Sequence, residues 1–538
     1  MLKKHSYELL SLLVIFIITL LLFKISFSYD FVVWDDRQYV KENPLLSTIT
    51  WDNLRQNTVG NFHPLTNLIY SLIYQTYRIQ VEPYHVTQYF IHFFNLILIF
   101  YIIQVIKKDK TVGEYLFTIL IILIYAIHPF KMESVIWISE LKDVLYSFFY
   151  LLGIYLYLKS NEKSNRDYTI LLGIYILALS SKSMAITLPL VFILIDKYYF
   201  KKEFIWNNYK NWFWLALFIV VNIFVYLTFT TQGISTEFIK TSFYLKPIIV
   251  LYNLGYYALN TFIPIENSII HPYPNSYITG KALIYETSGI VFLSVIYWLY
   301  KKKQHNVLVY FLMYLVIMLP VIQIFSVGRF IVSERYTYLS AIIPLIAIKN
   351  INWKYNNYVK CIMVLILVFL SIKSIEVINL WKDSKSIFKN AYYNYPNNYY
   401  GPLMYGTSVM SDSDNVAKKS WYLLSYVKYK NYIKQNKRIG QDEESICTVL
   451  GMLYSQEGKS KIGKKFFIEA YNSGIHNEVT TLNLCNVLSE NNLKDSCSMF
   501  YERFKSEYKK GYTPIENYLK GYIAPQIPIQ KIQMNTIK

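Results

Sequence analysis

The sequence predicts an all-α protein: a polytopic membrane helix bundle of about eleven spans, followed by a small helical solenoid. Three observations predict it. Apolar blocks of 17 to 22 residues recur from Leu9 to about residue 379, and about 20 apolar residues cross the hydrocarbon core of a bilayer as a helix. Residues 381–538 lose that pattern. The chain is 54% hydrophobic and 17% charged, which excludes disordered, collagenous and disulfide-scaffold classes.

The net charge of +19 alone would suggest nucleic acid. Its distribution argues for a membrane and against nucleic acid. Of 54 basic residues only 8 are Arg, and the Lys fall in short clusters between apolar blocks, where the positive-inside rule places them. With Arg so scarce, one Arg says more than one of the 53 Tyr.

Lys3 and Lys4 place the N-terminus in the cytoplasm, and the run Leu9–Phe23, with no small-residue cleavage site after it, reads as a signal anchor. Residues 29–85 form a first external loop, long enough to carry small interfacial helices. Spans follow at 86–106, 114–128 and 143–158, with KKDK (107–110) and NEKSNR (161–166) inside and 129–142 outside. Residues 168–196 break at Ser180-Ser181-Lys182-Ser183. As helix they would extend about 44 Å, long for one span and short for two, so both readings stand. Two spans put KYYFKK (197–202) inside and make 244–264 interfacial or re-entrant. One span puts KYYFKK outside and makes 244–264 cross. The positive-inside rule favours the first. Later spans fall at 212–230, 284–300, 307–325, 336–349 and 359–379. Either reading gives eleven crossings. Residues 381–538 are then external, on the side of the first loop.

In the tail, Leu450, Gly451, Tyr454, Gly458, Gly463, Phe467 and Ala470 match tetratricopeptide positions 7, 8, 11, 15, 20, 24 and 27. Small residues at 8 and 20 let two antiparallel helices approach closely. One period on stand Leu484, Cys485, Cys497 and Tyr501, and Pro396-Asn397 with Gly406 and Ala417 forms a degraded earlier unit. Two to four repeats make a short array that leans on the membrane domain. Cys485 and Cys497 occupy positions 8 and 20. They serve either as small packing residues or, in an oxidising compartment, as a disulfide.

Three charged clusters fall on the external side. Trp34-Asp35-Asp36-Arg37 places adjacent carboxylates at an interface, where they cost solvation unless used or paired; an exposed charged loop is the plainer explanation. His128-Pro129-Phe130-Lys131-Met132-Glu133-Ser134 runs on to Glu140-Leu141-Lys142-Asp143 between two spans. Ser333-Glu334-Arg335-Tyr336 opens a span with an Arg, either a bidentate phosphate ligand or a snorkelling anchor. His63, His85, His128 and His271 share that side without ligand spacing, so no metal site is expected.

The clusters occur in an ordered series: WDDRQYVKENPLL, HPLTNLIYSL (63–72), HVTQYFIHFFNLIL (85–98), HPFKMESVIWISELKDVLYSFFYLL (128–152), SKSMAITLPLVFILIDKYY (181–199), ERYTYLSAIIP (334–344) and WKDSKSIFKNAYYNYPNNYYG (381–401). The series resembles the transmembrane and tetratricopeptide-repeat O-mannosyltransferase-like family of GT-C polytopic glycosyltransferases. It departs from that family at Glu140-Leu141-Lys142-Asp143, where relatives commonly show Glu-Arg-Lys-Asp, and at Lys182-Ser183-Met184, where Lys-Pro-Met is common. The resemblance implies a GT-C-like domain at 1–380 and an external repeat domain at 381–538. It implies transfer of a mannose-like hexose from a polyprenyl-phosphate donor to an acceptor hydroxyl, Ser or Thr of a protein, with inversion. Asp35 is then the base, with Asp36 orienting it or the acceptor. Arg335 comes first, and Lys142 and Lys182 second, as cations for the departing phosphate. Trp34, His128, Glu133, Asp143, Glu334 and Tyr336 shape the site. No cofactor or metal is expected. The partners are the lipid-linked donor and a protein or glycan acceptor recruited by the repeats. Two alternatives stand beside this reading: a lipid-linked glycan ligase or polymerase, and a non-catalytic repeat-bearing membrane scaffold.

Overall fold

Inside hydrocarbon every backbone N–H and C=O must be paired within its own segment, and a helix does this. The regular structure of the computed structural model is all helical among its described residues, with no strand and a single antiparallel bridge between Pro272 and Phe330. It describes residues 2–55, 62–109, 111–202, 211–232, 243–274, 277–324, 329–350, 357–409, 414–436, 442–473 and six scattered residues between 484 and 505. The chain divides into two compact units, Met1–Ile387 and Phe388–Lys538.

In the first unit, five helices among the described residues are long and apolar enough to cross a membrane: His5–Ser28, Val81–Ile106, Ile138–Lys159, Gly280–Lys301 and Tyr358–Leu380. The outer ones turn apolar side chains outward, among them Leu9, Leu13 and Leu21 on the first and Ile362, Leu365 and Phe369 on the last. This is compatible with a multi-pass membrane protein. Val81–Ile106 packs on Leu141–Lys159, which packs on Asn165–Ser181.

Elsewhere the apolar blocks are interrupted. Val112–Ala126 and Pro129–Ile136 meet at a 60° bend, where Pro129 cannot supply an N–H to a continuing ladder. Asn165–Ser181 ends at Lys182, whose backbone is extended. A tight turn at Ser183–Thr187 then precedes Leu188–Leu194. The break therefore lies where the serines and Lys182 suggested it.

Lys246–Asn260 and Gly280–Lys301 touch backbone to backbone. A methyl group on Gly255 would overlap the carbonyl of Tyr285, and one on Gly289 the carbonyl of Leu251. Such contacts stand in for the missing hydrophobic drive between helices in lipid, and no side chain there can give way. Gly255→Val should therefore lower the midpoint of thermal unfolding of the solubilised protein by several degrees, an overpacking cost of about 1–3 kcal/mol or more. Gly173→Val, with open space around its Cα, should change it little.

A buried polar knot joins three helices. Lys349 Nζ donates to Asp109 Oδ1 at 2.6 Å, and Gln104 and Thr118 both donate to Oδ2 at 2.7 Å. The pair is fully satisfied, which a buried ion pair requires if it is not to destabilise the fold.

In the second unit, Asp442–Gln456 and Ser460–Asn472 form an antiparallel hairpin. Gly458, at φ 75°, takes the left-handed conformation that ends the first helix. A Cβ on Gly463 would stand 2.8 Å from the Gly451 carbonyl oxygen, and one on Gly451 would stand 2.8 Å from the Phe467 ring. The two small residues thus face each other, as close approach of the helices requires. The Cys485–Cys497 pairing involves Cys497, which lies outside the described residues.

Candidate active site: a carboxylate beside a cation cluster

Asp35 and Asp36 follow a turn closed by the Trp34 N–H on the Val32 carbonyl, and lead into the wide helical turn Arg37–Lys41. Adjacent in sequence, they face different surroundings. Asp36 is 1% exposed. It accepts hydrogen bonds from the Val32 N–H at 2.8 Å, the Ser139 N–H at 2.7 Å and the Ser139 hydroxyl. Ser139 lies in the turn Ile138–Glu140, so Asp36 ties the two loops together. Burial pushes its carboxyl up to about 7, against the Ser139 and Val32 hydrogen bonds.

Asp35 is partly exposed, and its carboxylate takes part in no hydrogen bond among the described residues. Burial raises its pKa above the ordinary 3.8. Lys142 pulls it down, Glu140 pushes it up and Arg335 pulls it down. These three groups therefore act on Asp35 through space.

They belong to one buried ion network. The Arg335 guanidinium is 2.5 Å from Glu133 Oε1 and 3.4 Å from Glu140 Oε1. The Arg335 backbone N–H donates to Glu133 Oε2 at 2.8 Å. Lys142 Nζ is 3.0 Å from Glu140 Oε1 and donates to the Ser139 carbonyl at 2.7 Å. Lys182 pairs with Asp143 and stands 3.6 Å from Glu140 Oε2. The Ser134 hydroxyl lies 3.3 Å from both Asp143 Oδ2 and the Arg335 carbonyl, which share its one proton. Three cations meet three carboxylates, the balance that lets charges be buried.

Aromatic rings wall the network. Arg335 lies 5.5 Å over the Trp137 ring and 5.1 Å over Tyr336. Lys142 is 4.7 Å from the centre of the Tyr39 ring and Lys182 5.4 Å from that of Tyr336. Trp34 packs on Trp137 at 5.3 Å, and Trp137 on Trp381 at 5.5 Å. Cations over aromatic faces keep attraction without losing donors.

The structure thus brings together Trp34, Asp35, Asp36, Glu133, Lys142, Asp143, Lys182, Arg335 and Tyr336. Glu334 points elsewhere: it accepts from the Ser268 N–H at 2.8 Å and lies 3.8 Å from His271. Burial holds its carboxyl well above the usual range, and Glu133 adds to the shift. His128 folds back on its own loop, its Nδ1 accepting from the Phe130 N–H at 3.2 Å. No described contact joins it to the cluster. Lys131 is likewise used internally, donating to the Thr337 carbonyl at 2.6 Å.

Glu140 is the hub of the network, although in the sequence it is one flanking charge among several. Its one available signal was its place two residues before Lys142 and three before Asp143. Among the described residues, no group of three or more His, Cys, Asp or Glu has the arrangement of a metal site. Comparison with known proteins gives no match to a family model, a curated protein or a solved structure.

Proposed function

We propose that the chain is a GT-C-type membrane glycosyltransferase. It would move a mannose-like hexose from a polyprenyl-phosphate donor to an acceptor hydroxyl, Ser or Thr of a protein, on the external face. The observation that carries the reading is Asp35: a carboxylate without a hydrogen-bond partner among the described residues, within electrostatic reach of Lys142 and Arg335. A hydroxyl is a weak nucleophile and needs a base within hydrogen-bond reach. A departing phosphate needs fixed positive charge in a site that excludes water. The cluster offers both. Asp36, locked to Ser139, orients Asp35. Arg335, with five N–H donors, and Lys142 and Lys182, with three each, keep capacity for phosphoryl oxygens beyond their carboxylate partners.

In the proposed step the hydroxyl oxygen bonds to the anomeric carbon and its proton passes to Asp35. The bond from that carbon to the phosphate oxygen breaks, and polyprenyl phosphate leaves with the electron pair. One base opposite one leaving group inverts the anomeric centre. On this reading the eleven crossings place the first loop and the tail on the same external side, and the tail is a tetratricopeptide-like array that recruits the acceptor. Cells lacking the gene should lose a class of O-linked hexose from their proteins, and the wild-type chain, but not Asp35→Asn, should restore it. Unchanged glycoproteins would overturn the reading, and a lost lipid-linked glycan in their place would favour the ligase alternative.

Asp35 accepts a proton only when ionised. Its pKa is raised, so kcat/KM should fall on the acid side with a midpoint above pH 4, the ordinary range of an exposed Asp. A rate flat from pH 4 to 8 would contradict its role as base.

A further inference from the structure

His63 opens the helix Pro64–Tyr77, but its imidazole does not cap it. The residue is 5% exposed, and Nδ1 has no hydrogen-bond partner among the described residues. A buried nitrogen left unpaired carries its full desolvation cost, so the position calls for a partner. Three contacts set this helix against the cation cluster. The Thr66 hydroxyl donates to the carbonyl of Ser181, the residue before Lys182, at 3.0 Å. The Tyr70 hydroxyl donates to the Ile138 carbonyl at 2.6 Å, in the turn that carries Ser139 and Glu140. The Tyr70 ring lies 6.0 Å from the Tyr39 ring over which Lys142 sits.

Burial, Lys142 and Lys182 hold the His63 pKa well below its ordinary value, with Glu140 opposing. The ring is therefore neutral and a poor base, which leaves it a hydrogen-bonding role. A neutral imidazole presents one N–H and one acceptor nitrogen. It adds a donor to an anion seat without adding a buried charge. Behind it stands the first turn of a 14-residue helix. The N–H groups of such a turn lack intrahelical partners and carry the positive end of the dipole. Pro64 has no N–H, so Leu65 and Thr66 supply them.

We propose that His63, backed by the Leu65 and Thr66 N–H groups, forms a further wall of the donor-phosphate seat and donates a hydrogen bond to a phosphoryl oxygen of the lipid-linked phosphate. The inference rests on the reading of Lys142, Lys182 and Arg335 as the cations that hold that phosphate.

The test measures binding of polyprenyl phosphate, the leaving group, to the full chain in lipid nanodiscs, with polyprenol as the uncharged control. His63→Phe, which keeps a ring and removes both nitrogens, should weaken polyprenyl phosphate about tenfold. His63→Asn, whose amide reaches the Nδ1 position, should recover affinity to within about threefold of wild type. Polyprenol binding should be the same in all three. In the transfer assay the Phe variant should raise KM for the donor more than it lowers kcat. Equal phosphate affinity in wild type and His63→Phe would overturn the inference and leave the cation reading standing. A His63→Asn variant as weak as His63→Phe would also overturn it, because packing alone would then explain the loss. A wild-type chain with no preference for polyprenyl phosphate over polyprenol would remove the cation reading and this inference together. Should His63→Phe fail to fold, His63→Leu carries the same comparison.

Discussion

Replacing Asp35 by Asn should lower kcat for sugar transfer by about 10²- to 10⁴-fold, the usual contribution of a positioned general base. Membrane insertion, thermal stability and donor KM should stay close to wild type. The expectation follows from how differently the two aspartates are held. Asp36 is built into the fold through Val32 and Ser139, so Asp36→Ala should destabilise the protein as well as slow it. The Asp35 carboxylate makes no hydrogen bond among the described residues, so the Asn side chain, the same in shape, removes basicity and little else. A single-turnover assay on solubilised protein, with unfolding followed in parallel, separates the two effects. Wild-type turnover by Asp35→Asn would remove Asp35 from the chemistry.

Arg335→Ala should have the largest effect on stability. It strips Glu133 of its 2.5 Å partner and Glu140 of one of its cations, leaving both carboxylates buried with less compensation. Breaking a buried pair from one side costs about 3–5 kcal/mol. The double variant Arg335→Met with Glu133→Gln removes both members of the closer pair and should recover much of that loss, while transfer remains impaired. Arg335→Lys should fold better than Arg335→Ala yet stay slow, because an ammonium cannot serve Glu133, Glu140 and a phosphoryl oxygen from one planar fork. Denaturant titration of wild type, Arg335→Met, Glu133→Gln and the double variant gives the coupling. If the double variant is no more stable than Arg335→Ala, the pair is not the source of the cost.

Much of the charged cluster was legible from residue type. A carboxylate pair after the first apolar helix, a scarce Arg just before the apolar run 336–349, and Lys142 and Lys182 beside breaks are costly in apolar surroundings, and the structure gathers them. Glu140 and His63 were not legible in the same way. Glu140 matters because Lys182 arrives from the break after Ser181, an encounter between residues about forty positions apart. His63 sits before a Pro, where a loop role is the first reading from sequence. Glu334 and His128 carried charge or a ring in the right segments, but their side chains turn to Ser268 and Phe130. The helices were legible as apolar blocks. Their interruptions at Pro129 and Lys182 make block length a poor count of crossings, since a bend or an extended residue changes how far a segment reaches. The Gly451 and Gly463 approach in the tail was readable from spacing, because only small residues permit it.

The most direct test of the central claim is release of polyprenyl phosphate from a radiolabelled polyprenyl-phosphate hexose, in membranes that hold the full chain and its native acceptors. The account predicts release matched by sugar appearing on acceptor with inverted anomeric configuration, and loss of both with Asp35→Asn. Intact donor in the presence of wild-type protein, or release that is unchanged by Asp35→Asn, would contradict it.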